Sequence, residues 1–446
     1  MRLFFLSATV TVLLSIADPA FGAVSFRAEI APLLQRHCST CHSEDNSKGK
    51  YRLDTFERLM KTGDSGDAPI VPGKADDSEL YQRLTETDPT DRMPQKADTL
   101  PADEIARIGQ WINEGAHFDG GAPDRPLVEF AREALLHKAP ERYSRPLPIS
   151  ALAFSPDGSE LAVSGYYEVT IWKIADGSLV RRLGGLPERI TSLAWSPERN
   201  LLAVGGGTPN QWGGVALVDP SGATPPRYLC DLSETALCVV FNSGGTLLAA
   251  SGGDRTLRFF DPESGRQIRI LRQHADWVQT VAFNPEGDRL VTASRDRTSR
   301  IFNAATGELE ASDTEHETPV LTALFDENGA RILGLERSRV VQTWDFRSHD
   351  KKAIKNDFKS FEGEPREMLL WGGNLIVGGS SPLITIHQVS DHQRLFTLYG
   401  HHDSVGALAL SPDQAFLASG GADGEVLIWD LSGGEWINRF KASPGW

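Results

Sequence analysis

From about residue 149 the chain repeats itself at intervals of about 40 residues. The leading strands read ISALAFSPDG, ITSLAWSPER, ALCVVFNSGG, VQTVAFNPEG, VLTALFDENG and VGALALSPDQ, with a degenerate copy, EMLLWGGN, between the last two. Each is an apolar run, a Pro/Asn/Asp/Gly turn, and then a second strand such as ELAVSG or FLASGG. A third strand ends in aromatic residues (VTIWK, LRFFD, VVQTWD, VLIWD), and a fourth follows, as in SLVRRL or EWINRF. The count is seven units of four strands across residues 149–441, with six and eight as its neighbours. The period is that of a propeller blade, so the all-β part of the chain is expected to be a seven-bladed β-propeller.

The clearest copy, GHHDSVGALALSPDQAFLASGGADGEVLIWD at 400–430, resembles the WD-repeat propellers. In that family a His, a Ser/Thr, a turn Asp and a strand Trp form a buried hydrogen-bonded network. The resemblance assigns those places to His401, Ser419, Asp423 and Trp429, with His402 competing for the first. In another unit it assigns His274, Ser294 and Asp296, with Phe302 replacing the Trp. A Ser, His and Asp in one repeat suggest a catalytic triad, but their recurrence from blade to blade marks them as scaffolding. The last repeat holds its own fourth strand and the first is complete from Ile149. Ring closure is therefore expected either by packing of the first blade on the last or by a strand added from 142–148.

Ahead of the repeat, the opening MRLFFLSATVTVLLSIADPAFGA has one Arg, a short apolar core and a small-x-small site at Ala20 and Gly22. It reads as a cleavable signal peptide over residues 1–22, hence an exported, periplasmic protein with no integral membrane segment after cleavage. Four cysteines remain. Cys230 and Cys238 could bridge in an oxidising compartment or could be two small buried residues, and the sequence leaves both open.

Cys38 and Cys41 belong to CSTCH, which closes an amphipathic run in which Phe26, Ile30, Leu33 and Leu34 share one helical face. In a CxxCH motif each thiol adds to one haem vinyl group and the adjacent histidine ligates the iron. A structural zinc site would need a second pair of ligands, and none follows at finger-like spacing; a thioredoxin-like dithiol would follow a strand rather than a helix. The expectation is one covalent haem c, held by Cys38 and Cys41, with His42 as the proximal iron ligand. Met93 is the expected distal ligand. It lies in a loop with Pro94, ahead of a helix that starts near Pro101, carries Ile105, Ile108, Trp111 and Ile112 on one face, and stops at Gly115. Met60 lies in a helical pattern, His37 precedes the attachment site on its own helix, and His117 lies beyond the last helix.

This order is the plan of a small all-α class I cytochrome c. The segments SKGKYRLDTFERLMKTGDSGDAPIVPGKADDSELYQRL and RMPQKADTLPADEIARIGQWINEGA resemble the planctomycete-type cytochrome c domain over roughly residues 25–118. That resemblance implies haem attachment at Cys38 and Cys41 and ligation by His42 and Met93. Gln95 stands where a second Pro is common, and Pro101 where a Ser or Thr cap is usual. The expected organisation is a cytochrome c domain at 24–118, a Pro-rich linker with a short helical pattern at 119–148, and the propeller.

Across its 446 residues the chain is 40% hydrophobic and 24% charged, with a formal net charge of −15. That balance argues against nucleic acid as a partner, since phosphate contacts need clustered Lys and Arg. The functional expectation is an electron carrier rather than an enzyme. The propeller would dock a redox partner or another protein, and Trp277, Arg255, Arg297 and Arg337 lie in or beside strand-connecting loops. The alternatives are an oxidoreductase with a second cofactor, by analogy with nitrite reductases and quinohaemoprotein dehydrogenases, and a haem-based sensor or scaffold.

Overall fold

The computed structural model describes residues 23–44, 46–95, 98–347 and 362–445, and 354–356 in their backbone. The expected signal peptide, 1–22, lies outside the described residues. Helices come first and strands second. Among the described residues no helix is long and apolar enough to cross a membrane.

The first helical run opens with a π-turn, Phe26–Ile30, capped by Ser25, whose Oγ accepts from the Ala28 N–H at 3.0 Å. It continues as α1, Ala31–His37. Phe26, Ile30 and Leu34 are fully buried, while Leu33 stays at the margin of the core. Short helices α2 (Phe56–Leu59) and α3 (Glu79–Thr85) follow. The expected last helix is α4, Ala102–Asn113, with Asp103 and Glu104 in its first turn, where the positive end of the helix dipole favours carboxylates. Ile108, Trp111 and Ile112 are buried and Ile105 is partly so, and the chain turns away at Gly115, φ +106°. The Phe26 ring lies 5.4 Å from Trp111 and 5.0 Å from Phe56.

This core continues past residue 118. The segment expected as a linker holds a fifth helix, α5, Leu127–Leu135, whose apolar positions at i, i+3 and i+4 bury Leu127, Phe130 and Ala131. Phe130 is 6.1 Å from Phe26, so α5 is part of the helical domain's interior. On its other side Arg132 pairs with Asp231 of the β-region and lies over the Tyr228 ring.

The strands begin at Leu152. Five sheets are four-stranded, antiparallel and in sequence order, spanning 236–271, 278–313, 320–356, 365–398 and 405–441. A seven-stranded sheet spans 152–232 because one long strand, Leu179–Trp195, serves two groups. Its first half pairs with Tyr166–Lys173 and its second with Leu202–Thr208. The expected count of seven blades takes that strand as two. Innermost strands touch one another in succession, and the circle closes where Val405–Leu410 meets Leu152–Phe154. The architecture is a β-propeller. Each sheet is covered on both faces by its neighbours, which explains second strands that are apolar throughout, such as ELAVS and FLASGG.

Closure follows the packing route. Ile149, Leu152, Phe154 and Val163 share one buried cluster with Ala407, Ala418, Val426 and Ile428, and Trp172 stacks on Phe440 at 4.9 Å. Residues 142–148 add no strand. They are tied by single bonds, Tyr143 N–H to Pro444 O at 3.3 Å and Leu147 N–H to Ser443 Oγ at 3.2 Å.

Candidate functional site

CSTCH folds as a compact turn at the end of α1. The Cys38 N–H donates to Leu34 O at 3.0 Å, and the His42 N–H to Cys38 O at 3.0 Å. The turn places Cys38, Cys41 and His42 on the wall of one cavity of about 540 Å³, together with Tyr51, Leu84 and Met93. His42 Nδ1 lies 3.2 Å from Tyr51 O. A carbonyl can only accept, so Nδ1 carries the proton and Nε2 keeps the lone pair that ligates a metal. Burial, then the neighbouring Cys41, pushes the Cys38 thiol up to about 12, so it rests as a neutral thiol. Burial likewise raises Tyr51, with Cys38 and Glu79 adding to the effect.

Met93 reaches this cavity because its N–H donates to Arg83 O at 2.8 Å, tying the loop to α3. Of Met60, Met93 and Met368, only Met93 lines it; Met60 packs on the helical core and Met368 is buried within the propeller. His37 Nε2 lies 2.8 Å from Glu104 Oε2 of α4. His117 is absent from the cavity wall, and its carbonyl accepts from Trp111 Nε1.

The residues fit a haem. The cavity falls in the size range of cofactor pockets, its exposed lining is largely apolar, and two thiols and an imidazole are at hand. Among the described residues no three or more His, Cys, Asp or Glu gather where they could hold a metal ion. Cys230 and Cys238 are both free. Burial pushes Cys230 up to about 12, and Cys238 Sγ donates to Val281 O at 3.6 Å.

The propeller residues pair largely, not wholly, as the repeat suggests. His401 Nε2 lies 2.7 Å from Ser419 Oγ, which accepts from Trp429 Nε1 at 2.7 Å. Asp423 caps the Glu425 N–H at 3.0 Å but does not bond His401; His401 Nδ1 and Asp423 Oδ2 are both buried without a hydrogen-bond partner. In the blade of 278–313 the His–Asp bond does close, with His274 Nδ1 2.9 Å from Asp296 Oδ2. The hydroxyl there is a correction: His274 Nε2 meets Thr292 Oγ1 at 2.7 Å, not Ser294. Ser294 instead donates to Asp276 O and accepts from the Asp296 N–H. Both histidines find their hydroxyl 18 positions on, so the spacing, rather than the recurring Ser, carries the signal.

A third network was not foreseen. Eighteen positions beyond His316 stands Gly334, where an added Cβ would come within 2.9 Å of the imidazole Cε1. His316 turns instead to Glu336 Oε1 at 3.2 Å and to Ser299 Oγ, in the adjoining sheet, at 3.1 Å.

A ring of antiparallel sheets carrying His–hydroxyl pairs, joined to a helical domain with a CxxCH cavity, defines a WD-repeat propeller fused to a haem-binding, cytochrome c-like domain. More particularly, residues 38–96 match the family model described as Planctomycete cytochrome C. Residues 232–261, 265–303 and 392–430 match that described as WD domain, G-beta repeat. The chain is 40% identical over 60 residues to "Probable serine/threonine-protein kinase PkwA" of Thermomonospora curvata, covering 14% of this chain and 8% of that protein. It is 47% identical over 45 residues to "Small ribosomal subunit protein RACK1y" of Oryza sativa subsp. japonica, covering 10% and 13%. To "WD repeat-containing protein 1" of Mus musculus it is 40% identical over 62 residues, covering 14% and 10%. The chain spans only a small part of the length of each of these relatives.

Proposed function

We propose that the protein is an exported electron carrier with one covalently bound haem c, whose propeller serves as a platform for protein partners. The observation that carries the reading is the meeting of Cys38, Cys41, His42 and Met93 at one apolar cavity. Cys38 and Cys41 would hold the macrocycle through thioethers, each thiol adding S–H across a vinyl group with nothing released. His42 Nε2, oriented by the Tyr51 carbonyl, and the Met93 thioether would ligate the iron. Bound there, the group would supply a one-electron couple, raised in potential by methionine relative to two histidines. Leu53, Leu84 and Pro69 would give it apolar walls.

The test is expression with a cytochrome c maturation system, followed by a haem stain on a denaturing gel, redox titration and sequencing of the mature N-terminus. Covalent haem that is lost in Cys38→Ser/Cys41→Ser, a reversible one-electron wave, and a chain beginning at Ala23 are the expected results. Covalent haem that survives the double substitution would overturn the assignment, and a retained leader would overturn export by cleavage.

A further inference from the structure

The turns between the second and third strands of the sheets include one recurring conformation. In four of them the third residue of the turn returns its N–H to a carbonyl three positions earlier: Arg255 to Gly252 O, Arg297 to Ser294 O, Arg339 to Glu336 O and Gly424 to Gly421 O. All four have positive φ, +67°, +66°, +74° and +76°. Glycine suits that conformation best, as at Gly424, yet three consecutive blades place an arginine there.

The same turns carry Arg295 and Arg337, so five exposed arginines stand on three adjoining hairpins. None of the five makes an ion pair with a carboxylate among the described residues. The acids of the turns face inward and are engaged: Asp254 with Arg258 and Thr256, Asp296 with His274 and Thr298, Glu336 with Thr318 and Ser338. The corresponding turns of the other blades, GYYE, TPNQW, SSPL and ADG, have no basic residue. Trp277 sits between the first two hairpins. Arg295 Cζ lies 4.6 Å over its ring, and a Cβ built on Gly253 would come within 3.4 Å of its Cε2.

The arc shares its face with the helical domain. Gln211, in the equivalent turn of the preceding blade, lines a cleft with Pro32 and Leu33 of α1 and Ala131 of α5. The Gly253 N–H donates to Thr235 O, in the connection that leaves the strand bearing Asp231, the partner of Arg132.

We propose that this arginine arc is the seat for an acidic polypeptide segment of a partner protein, gripped by carboxylate–guanidinium pairs beside the helical domain. The inference deepens the docking reading above and rests on it. Five cations spread over three separate turns suit several spaced carboxylates rather than one small anion, and guanidinium forks pair with carboxylates in a fixed geometry. The net charge of −15 opposes a long polyanion or an extended anionic membrane, which must lie against the acidic surface beyond the arc, more than a short acidic segment that fits within it.

The test uses the haem-loaded full chain with labelled oligoglutamate, oligothymidylate and phosphatidylglycerol vesicles as probes, read by anisotropy and co-sedimentation. Arg255→Gly/Arg297→Gly/Arg339→Gly removes the charge and also the strained φ, so this variant should melt no lower than the parent. It is compared with Lys173→Gly/Arg266→Gly/Arg331→Gly at the opposite ends of the sheets. The expected result is salt-sensitive binding of oligoglutamate that falls roughly tenfold in the first variant and stays within about twofold in the second. Equal losses in both variants, no oligoglutamate binding, or equal binding of oligothymidylate or vesicles would overturn the proposal. Haem content and redox titration of the same samples report on the electron-carrier reading separately.

Discussion

Arg132 Nη1 of α5 lies 2.5 Å from Asp231 Oδ2 of the propeller, and Asp231 Oδ1 accepts from Trp212 Nε1 at 2.8 Å. Burial raises the Asp231 pKa, and Arg132 and Trp212 offset only part of that. A carboxylate whose folded pKa is raised weakens the fold as pH climbs above its unfolded value. Arg132→Ala should therefore cost roughly 3 kcal/mol at neutral pH by leaving a buried charge unpaired. The deficit should shrink on acidification, and Arg132→Ala/Asp231→Asn should recover most of it. Paired thermal melts at pH 5 and 8 check this; a pH-independent loss would show that the ion pair is not its source.

Met93→Ala should abolish the methionine–iron charge-transfer band of the oxidised haem protein and lower its potential, while leaving the haem stain unchanged. Met60→Ala, which touches the helical core rather than the cavity, should keep the band and cost stability alone. A band surviving in Met93→Ala would move the sixth ligand elsewhere.

Asp296, bonded to His274, and Asp423, unbonded to His401, should respond differently to Asp→Asn. Burial alone would raise Asp296, but hydrogen bonds from His274, Thr298 and the Ala275 N–H hold it well below the usual carboxylate range. Its stabilisation is therefore present above the unfolded pKa, about 4, and is lost as pH falls. Asp296→Asn should cost about 1.5–3 kcal/mol at pH 7 and flatten the acid limb of the stability curve. Asp423→Asn, which leaves His401 bonded to Ser419, should cost about 0.5 kcal/mol or less. Urea melts across pH decide it, and equal costs would contradict the geometry.

Glu367, on an innermost strand, accepts one hydrogen bond, from the Leu408 N–H at 2.7 Å, and burial pushes it up to about 7. Its favourable contribution is present below the unfolded carboxylate pKa and is lost as pH rises through 7. Glu367→Gln should thus stabilise the protein by roughly 1 to 2 kcal/mol at pH 8, after allowance for partial exposure, and change little at pH 4. Melting curves at those two pH values, with loss at pH 8 as the contrary result, settle the matter.

Glu168 is buried beneath a bidentate pair with Arg182 at 2.7 Å and a bond from the Tyr143 hydroxyl at 2.5 Å. Arg182 also donates to Glu141 O, fastening the chain between the domains to the first blade. Arg182→Ala should cost roughly 3–5 kcal/mol, and Arg182→Lys, which lacks the fork, should recover only part of it in the same melts.

What the sequence makes legible is whatever repeats or keeps a period. Apolar positions at helical spacing set out α1 and α4, and the 40-residue period set out the propeller. The π-turn was hidden because one extra residue of pitch leaves Phe26, Ile30 and Leu34 on a single stripe. For α5, the positions 127, 130 and 131 announce a buried face but not the Phe26 and Phe118 rings that cover it. Residue type alone points to Ser294, whereas the 18-residue offset from His274 points to Thr292, and the same offset at Gly334 foretells that His316 must look elsewhere. Arg295 and Arg339 were overlooked although RDR and RSR occupy matching turns, since exposed arginines gain meaning only when a fold sets them side by side.

The meeting of the first blade with the last has one further consequence. At one junction Leu179–Trp195 runs unbroken from blade to blade, and at the others the chain passes directly across. Here it does not, and the join is an apolar clasp of Ile149, Val163, Ala418 and Ile428 with a Trp172–Phe440 stack, helped by a few bonds such as Ile149 N–H to Gly421 O at 3.1 Å. Apolar contact loses strength on cooling while hydrogen-bonded ladders do not depend on it in the same way. The circle therefore has a built-in weak point, and chilling, rather than heating alone, is the condition under which its two ends come closest to letting go.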